Sequence, residues 1–585
     1  MNPPRIERRA LCADAGGWPE SMHPVLRRVY AARGVVSPRD IEHRLASLLP
    51  PRDLGGIARA CELVENAIRT GARIIIVGDF DADGATATAV AVRGLRLLGA
   101  QDLGYAVPNR FRHGYGLSPA IVEELLQRQP KLLITVDNGI AAHAGVAAAK
   151  AHGMQVIVTD HHLPGATLPG ADAIVNPNVP GDAFSSKALA GVGVMFYLLL
   201  ALRARLREKH WFDEQRITEP DLSCLIDLVA LGTVADLVPL DCNNRILVDA
   251  GLKRIRSGRC CAGITALIAC GQRDPARLVA SDLGFVVAPR INAAGRLEDM
   301  GLGIECLLAD DSGRARELAE TLSSINAERR QLQADMVEQA QYAVHKWTLS
   351  RGRAALPRGV VLFDPGWHHG VVGLVASKLK EMLNRPVIAC APATMERDDR
   401  TDARNEVKAS GRSIAGFHLR DALADVDARH PGLLLRFGGH AMAAGLSLRR
   451  DDVETFAAAF DAVAQERIAP AALEAILLTD GELGTDDFSL GLARQLRYAG
   501  PWGQGFAEPM FDGVFAVESW RVVAEKHMRF RLRSDGGREA VDAIMFNASE
   551  GLSPPERLRA VFSLDLDEWQ GTERLQLLLR HWQPV

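Results

Sequence analysis

From Ala72 to about Asp236, short and almost wholly apolar runs alternate with longer stretches rich in Ala and Leu, the pattern of a parallel sheet flanked by helices. The runs Arg73–Val77, Gly104–Val107, Leu132–Val136, Gln155–Thr159 and Ala173–Val175 each end in polar or Gly/Pro punctuation and read as strands. Apolar runs without alternation imply burial on both faces. Between Asp311 and about Trp347, Leu318, Leu322, Ile325, Leu332 and Met336 recur at helical spacing. That predicts one helix of roughly 50 Å, long enough to join two lobes. A second α/β pattern fills Gly359 to about Glu466, interrupted by the polar stretch Met395–Glu406, expected as a surface loop. Beyond Ala469–Ala472 the pattern is β-rich, with Phe511–Val517, Arg521–Val523, Met528–Arg533 and Arg559–Leu564 as strands, enough for a small β-barrel.

Length changes this picture only by requiring several cores: 585 residues imply two to four domains. With 48% hydrophobic, 24% charged and 5% aromatic residues the chain is an ordinary globular protein, which excludes disordered and fibrous classes. The net charge of −4 gives no global attraction to nucleic acid, so any phosphate binding must come from local Arg and Lys. Nine cysteines without a C-x-x-C pair read as reduced, mostly buried thiols and not as a zinc site. Arg5, Arg8 and Arg9 are not followed by the apolar stretch of a signal peptide, and the longest apolar run, Val192–Leu202, is too short to span a bilayer. A cytoplasmic protein without membrane contact is expected.

The chemistry gathers at strand ends. Directly after the first strand, Gly78–Gly84 (GDFDADG) carries Asp79, Asp81 and Asp83. Three anions at alternate positions raise one another's pKa unless cations lie between them. A solvated acidic turn would account for one such segment, but two more strands run into Asp137-Asn138-Gly139 and Asp160-His161-His162, and Asp236 ends the segment Gly232–Asp236. Ligands of open parallel α/β sheets bind outside the carboxyl ends of the strands, so these groups should converge. Carboxylates with an imidazole suit Mg2+ or Mn2+, and five carboxylates exceed the need of one ion, which implies two.

Taken in order, His23-Pro24, Ala31–Gly34, GDFDADG at 78–84, VPNRF at 107–111, GYGL at 114–117, the TVDNG, TDHH and LGTVAD segments, PRINAAGRL at 289–297, GWHHGVVGLVASKL at 366–379, ASGRS at 409–413 and FGGHAMAAG at 437–445 resemble the DHH phosphoesterase superfamily. Within it they resemble the exonuclease branch that degrades single-stranded DNA. The resemblance spans nearly the whole chain. It implies that Asp79 and Asp81 bind one metal, that Asp83, His161 and Asp236 bind the other, and that Asp137 bridges both. Asp160 would orient an imidazole and His162 would contact the scissile phosphate. The implied activity is two-metal hydrolysis of single-stranded DNA from the 5′ end, releasing 5′-mononucleotides in DNA repair and recombination. A monomer is expected, with single-stranded DNA as substrate and a single-strand-binding protein and a RecQ-type helicase as partners. The implied architecture is α/β: a DHH domain with a parallel sheet and a DHH-associated domain, joined by a long helix and followed by an OB-like barrel. The division expected is 1–50 (N-terminal segment), 51–310 (catalytic), 311–347 (helix), 348–466 (associated domain) and 467–585 (nucleic-acid-binding barrel).

By the same resemblance Gly438, Gly439 and His440 contact substrate phosphate, although two glycines also make an ordinary tight turn. Ser410 and Arg412 suit a terminal phosphate, which Arg110 could reach as well. Arg290, Asn292 and Arg296 are further candidates, set against the plainer reading of solvated arginines near a strand end. His368 resembles a further substrate contact, before a helix expected over Val371–Lys380 whose N-terminus could favour an anion, although helix–sheet packing explains Gly370 and Gly373 equally well. In Met528–Arg533 alternation puts Arg529, Arg531 and Arg533 on one strand face, either a solvated barrel surface or a DNA contact. The stretches Glu208–Pro220 and 395–406 look like insertions, and Ala409 stands where a glycine is common. A DHH enzyme for pyrophosphate, cyclic dinucleotides or short oligonucleotides is the alternative function. A non-catalytic scaffold is disfavoured by the full ligand set, and Gly191-Val192-Gly193 alone is no dinucleotide fingerprint. Removing everything after about Gln465 is expected to weaken DNA binding more than chemistry.

Overall fold

The computed structural model describes residues 4–12, 16–108, 116–351, 356–393, 405–548, 553–569 and 572–585. The polar stretch expected as a loop lies largely outside them. Two compact units emerge, one of Met1–Glu7 with Ala327–Leu478 and one of Arg8–Asn326 with Thr479–Val585.

The second of these units holds the parallel sheet. Its strands are β1 (Ile74–Val77), β2 (Leu103–Ala106), β3 (Leu132–Val136), β4 (Gln155–Thr159) and β5 (Ala173–Val175), all within a residue of the sequence expectation. They pair in the order β2-β1-β3-β4-β5, every pair parallel. Successive side chains alternate between faces, and both faces are covered. Ile74, Ile76, Leu132, Ile134, Val136 and Ile157 enter one apolar cluster, while Ile75, Val77, Leu133, Val156 and Val158 enter another. Hence the strands read as continuous apolar runs. The helices α1 (Ala82–Leu97), α2 (Gly191–Glu208) and α3 (Ile226–Ala235) carry small buried residues, among them Ala85, Ala87, Gly94, Gly191, Gly193 and Gly232, that let their backbones approach closely. Cβ atoms at Gly94 and Gly232 would stand 2.3 Å from Leu199 and 2.1 Å from Thr86. The stretch Glu208–Pro220 includes a short helix whose Trp211 is buried and donates to the Leu98 carbonyl at 3.0 Å.

PRINAAGRL, expected near a strand end, is instead α4 (Ala288–Leu297). Its register follows from Ala293, Ala294 and Gly295 on the buried side. The long helix is confirmed as α5 (Ser312–Arg351). The other unit contains β6 (Val360–Phe363), α6 (Val372–Leu383), β7 (Val387–Pro392), β8 (Glu406–Arg412), β9 (Leu434–Gly439) and β10 (Ala443–Arg449). Its sheet has the order β9-β10-β8-β7-β6, with only β6 and β7 parallel.

Five strands close a barrel in the order β11-β12-β13-β15-β14. They are β11 (Phe511–Val523), β12 (His527–Ser534), β13 (Ala540–Met545), β14 (Arg557–Trp569) and β15 (Thr572–Pro584). Arg521–Val523 is thus no separate strand; it continues Phe511–Val517 through an irregularity between Val517 and Ser519. The barrel interior is continuous with the apolar core on one side of the parallel sheet: Phe511, Phe515, Phe562 and Leu577 belong to one cluster with Val29, Tyr30, Leu252 and Ile76. Tyr30 packs 6.0 Å from the Trp502 ring, and the buried pair Arg33–Asp480 closes at 2.8 Å. Among the described residues no helix is long and apolar enough to cross a membrane.

Candidate metal centre

The carboxyl ends of β1, β3 and β4 bring the predicted groups together. Asp79 leaves β1 and accepts from the Phe80 N–H at 2.7 Å, and Asp81 caps α1 by accepting from the Gly84 N–H at 3.0 Å. A Cβ at Gly84 would stand 2.7 Å from the Asp79 Cα, so only glycine allows this tight passage. Asp83 faces inward from the first turn of α1 and accepts from the N–H groups of Gly191 and Val192 at 2.6 and 2.9 Å, capping α2 from outside. Asp137 follows β3 with a left-handed φ of 62°, a conformation that side chains rarely adopt and that the neighbouring structure must hold. Asn138 supplies part of that hold, donating to the carbonyls of Val77 and Val136 at 3.0 and 2.9 Å and so tying β1 to β3.

Three overlapping ligand groups result, one of them Asp137, His161 and His162. Asp79, Asp81 and Asp137 offer oxygens within 4.8 Å of one another, and the ligand atoms of Asp83, His161 and Asp236 lie equally close together. The groups meet at the His161 Nε2, which lies 3.1 Å from Asp137 Oδ1, 3.4 Å from Asp236 Oδ2 and 3.9 Å from Asp83 Oδ2. Burial, then the charge of Asp81, pushes Asp83 up to about 7. Burial together with mutual repulsion among the carboxylates drives Asp137 and Asp236 far above the usual carboxylate range. So much negative charge out of water calls for cations of equal weight. Oxygen donors with one imidazole match Mn2+ or Mg2+.

Beside this cluster Asp160 accepts from the His162 Nδ1 at 2.7 Å, from the N–H groups of His161 and His162 at 2.8 and 3.1 Å, and from the Ile140 N–H at 2.9 Å. Burial opposes its ionisation, yet the His162 ring and these donors hold it below the usual range. Burial likewise opposes a charged His162, but the Asp160 carboxylate overrides it and raises the imidazole to about 9. Asn176 and Asn178 fix the backbone of the pair by donating to the carbonyls of His162 and His161 at 2.9 and 2.6 Å.

Other predicted residues fall into distinct settings. Asn292 accepts from the Ala82 N–H at 2.8 Å, so it positions the acidic turn; Gly295 of the same helix passes so near that a Cβ would meet the Phe80 carbonyl at 2.0 Å. Arg290 donates to Ser323 and Cys270 at 3.3 and 3.2 Å and also to Val286, which ties down neighbouring elements. Arg296 is half-buried. Arg110 lies outside the described residues. In the other unit Arg412 donates to the Ser410 hydroxyl at 3.0 Å and the Gly411 carbonyl at 2.8 Å. Burial lowers its pKa, and among the described residues no carboxylate pairs with it. Gly373, in the first turn of α6, brings the helix against both Ser410 and Arg412, where a Cβ would stand 3.0 Å from each. His368 accepts from the Gly370 N–H at 3.1 Å, and burial lowers its pKa. At Gly439 a φ of 139° and an Ala443 carbonyl 2.5 Å from any Cβ require glycine, whereas the space beside Gly438 is open. His440 is exposed. On the barrel Arg529, Arg531 and Arg533 share the outer face, each near a carboxylate: Asp567 at 3.8 Å, Asp542 at 3.2 Å and Glu518 at 3.0 Å.

The sequence reading missed Asn138, Asn176, Asn178 and Gly191. The Asn-Pro-Asn triplet after β5 was a usable signal. Gly191 had been seen only as part of a weak glycine motif, yet a Cβ there would stand 2.5 Å from the Asp137 Cβ.

Comparison with known proteins follows the same layout. The DHH family, N-terminal domain, matches residues 73–233, the DHHA1 domain 356–466 and the RecJ OB domain 479–581. The single-stranded-DNA-specific exonuclease RecJ of Dickeya dadantii is 50% identical over 570 residues, covering 97% of each chain. The crystal structure of RecJ from Thermus thermophilus in complex with Mn2+ matches with a TM-score of 0.80 at 31% identity, covering 99% of this chain and 80% of that one. Its counterpart in complex with Mg2+ matches at 0.74 and 30%, covering 99% and 78%.

Proposed function

The chain belongs to the RecJ family of DHH phosphoesterases, and on that premise we propose that it hydrolyses single-stranded DNA from the 5′ end, releasing 5′-mononucleotides, with two Mn2+ or Mg2+ ions. The observation that carries the reading is the pairing of Asp79–Asp81–Asp137 with Asp83–His161–Asp236 around the His161 imidazole. Such ions, when bound, neutralise the carboxylates, polarise phosphoryl oxygens and lower the pKa of water. Asp137 would serve both ions, placed by its left-handed backbone and by the space that Gly191 leaves. His162, kept protonated by Asp160, offers positive charge to the oxygens of the scissile phosphate. Ser410 and Arg412 take the 5′-terminal phosphate, supported by a half-buried guanidinium that has no carboxylate partner among the described residues. Gly438 admits a phosphate close to the backbone, with His440 beside it. Arg110, Arg296 and His368 are assigned further contacts along the strand.

Residues 51–310 carry the chemistry in this reading, 348–466 the phosphate grip and 467–585 the passing strand, along Arg529, Arg531 and Arg533. The protein acts in the cytoplasm as a monomer in repair and recombination, beside a single-strand-binding protein and a RecQ-type helicase that share its substrate. The deciding experiment is Mn2+-dependent release of mononucleotides from single strands labelled at either end, against duplex DNA and pyrophosphate, with Asp137→Ala as control. Release beginning at the 5′ label is the expected result. Turnover of pyrophosphate without DNA cleavage, or full activity of Asp137→Ala, would overturn the reading.

A further inference from the structure

Leu237 is 65% exposed and Leu163 64%, which makes them the most exposed leucines among the described residues. Scattered surface leucines need no explanation. These two are not scattered. Leu163 directly follows His162, and Leu237 directly follows Asp236. The Asp236 carboxylate comes within 3.4 Å of His161, and the rings of His161 and His162 lie 4.5 Å apart. Both leucines therefore leave the chain one peptide beyond the same cluster.

The backbone adds an independent observation. Leu237 has a φ of 60°, in the left-handed region, where its N–H donates to the Val234 carbonyl at 3.3 Å and closes the last turn of α3. Glycine is favoured at this position after a helix because it lacks the Cβ that clashes there. A leucine is disfavoured, and with its side chain in solvent it recovers little by burial. Among the described residues, burial does not account for a leucine here.

We propose that Leu163 and Leu237 form an apolar bracket for the nucleobase of the terminal nucleotide whose phosphate enters the metal centre. The proposal rests on the exonuclease reading given above. Every base has an apolar face, and in a single strand that face is free to leave its neighbours. Methyl groups pressed against it read no hydrogen-bonding edge, so the bracket is indifferent to sequence. A base still paired and stacked in a duplex cannot enter it. The bracket thus adds selectivity for single strands at the reacting end itself.

The test uses the full chain with Mn2+ and two 5′-phosphorylated single-stranded oligonucleotides that differ only in whether the terminal nucleotide carries its base or is abasic. In the native protein, loss of the base lowers kcat/KM by roughly tenfold, the scale of a lost apolar contact. Leu237→Gly raises the thermal midpoint by relieving the backbone, yet lowers kcat/KM on the intact oligonucleotide by a similar factor, chiefly through KM, and no longer distinguishes the two substrates. Leu163→Ser loses the same discrimination without a change in midpoint, and Leu237→Met retains it. Variants that keep the native discrimination, or whose losses multiply with that of base removal, overturn the bracket and leave the exonuclease reading standing. A native protein that degrades neither oligonucleotide overturns both.

Discussion

Asp137 and Gly191 define the centre at the scale of single residues, one by the conformation it is forced to adopt and the other by the atom it lacks. Gly191→Ala puts a Cβ 2.5 Å from that of Asp137. Displacing a packed backbone in this way costs about 1–3 kcal/mol, and the larger effect is expected on the centre: Mn2+ affinity, measured by titration calorimetry, should fall by more than roughly tenfold. His162→Gln keeps a polar side chain without positive charge. It should lower kcat by about a hundredfold with a small change in KM; an equal loss in KM alone would mean that His162 binds substrate without serving the transition state. The carboxylates and histidines were legible in the sequence because they recur directly after three buried strands, where a single solvated acidic turn would explain only one. Gly191 was not, since its role exists only where α2 packs against the end of β3, far away in sequence.

Elements show where periodicity suffices and where it does not. The parallel strands could be read to within a residue because both faces are buried, so no polar position breaks the run. In the barrel the alternation of Met528–Arg533 was legible, but the carboxylates beside its arginines, Asp567, Asp542 and Glu518, come from three other strands and are invisible to any local pattern. The short β13, next to Gly536 and Gly537, and β15, whose Leu577-Leu578-Leu579 run hides the alternation, went unread because neither offers a clean local period. One carboxylate of β11 predicts a pH response. Burial works against ionisation of Asp512, but Thr479 at 2.6 Å, Arg559 at 2.6 Å and Arg8 at 3.3 Å hold its pKa below the usual value. A depressed native pKa stabilises the fold above the unfolded carboxylate value of about 4 and ceases to do so as pH falls through the native value. Asp512→Asn should therefore lower the thermal midpoint clearly at pH 7, and the gap from the native protein should close in acid. A gap that stays constant down to about pH 3, below the unfolded carboxylate value, would assign the loss to packing.

The whole molecule corrects one expectation. Removing everything after about Gln465 is expected from the sequence to weaken DNA binding more than chemistry, but the barrel and the parallel sheet belong to one compact unit with a continuous apolar interior. Cutting there bares Tyr30 and Val29 and removes the partner of Arg33, so a truncated chain should show a lower thermal midpoint and aggregation, and not an intact catalyst with weak grip. Substituting Arg529, Arg531 and Arg533 together by Ala leaves that interior alone. It should reduce the slope of log binding constant against log salt by up to about three units while single-nucleotide turnover persists; an unchanged slope would remove the barrel face from the DNA path. The placement of the ligands has one more consequence, for biosynthesis. Asp79 opens the set and Asp236 closes it, with β3, β4 and α3 between them. A nascent chain leaving the ribosome carries the group Asp79–Asp81–Asp137 once β3 has emerged but gains Asp236 only with the end of α3, so the full two-metal set should be assembled late in synthesis.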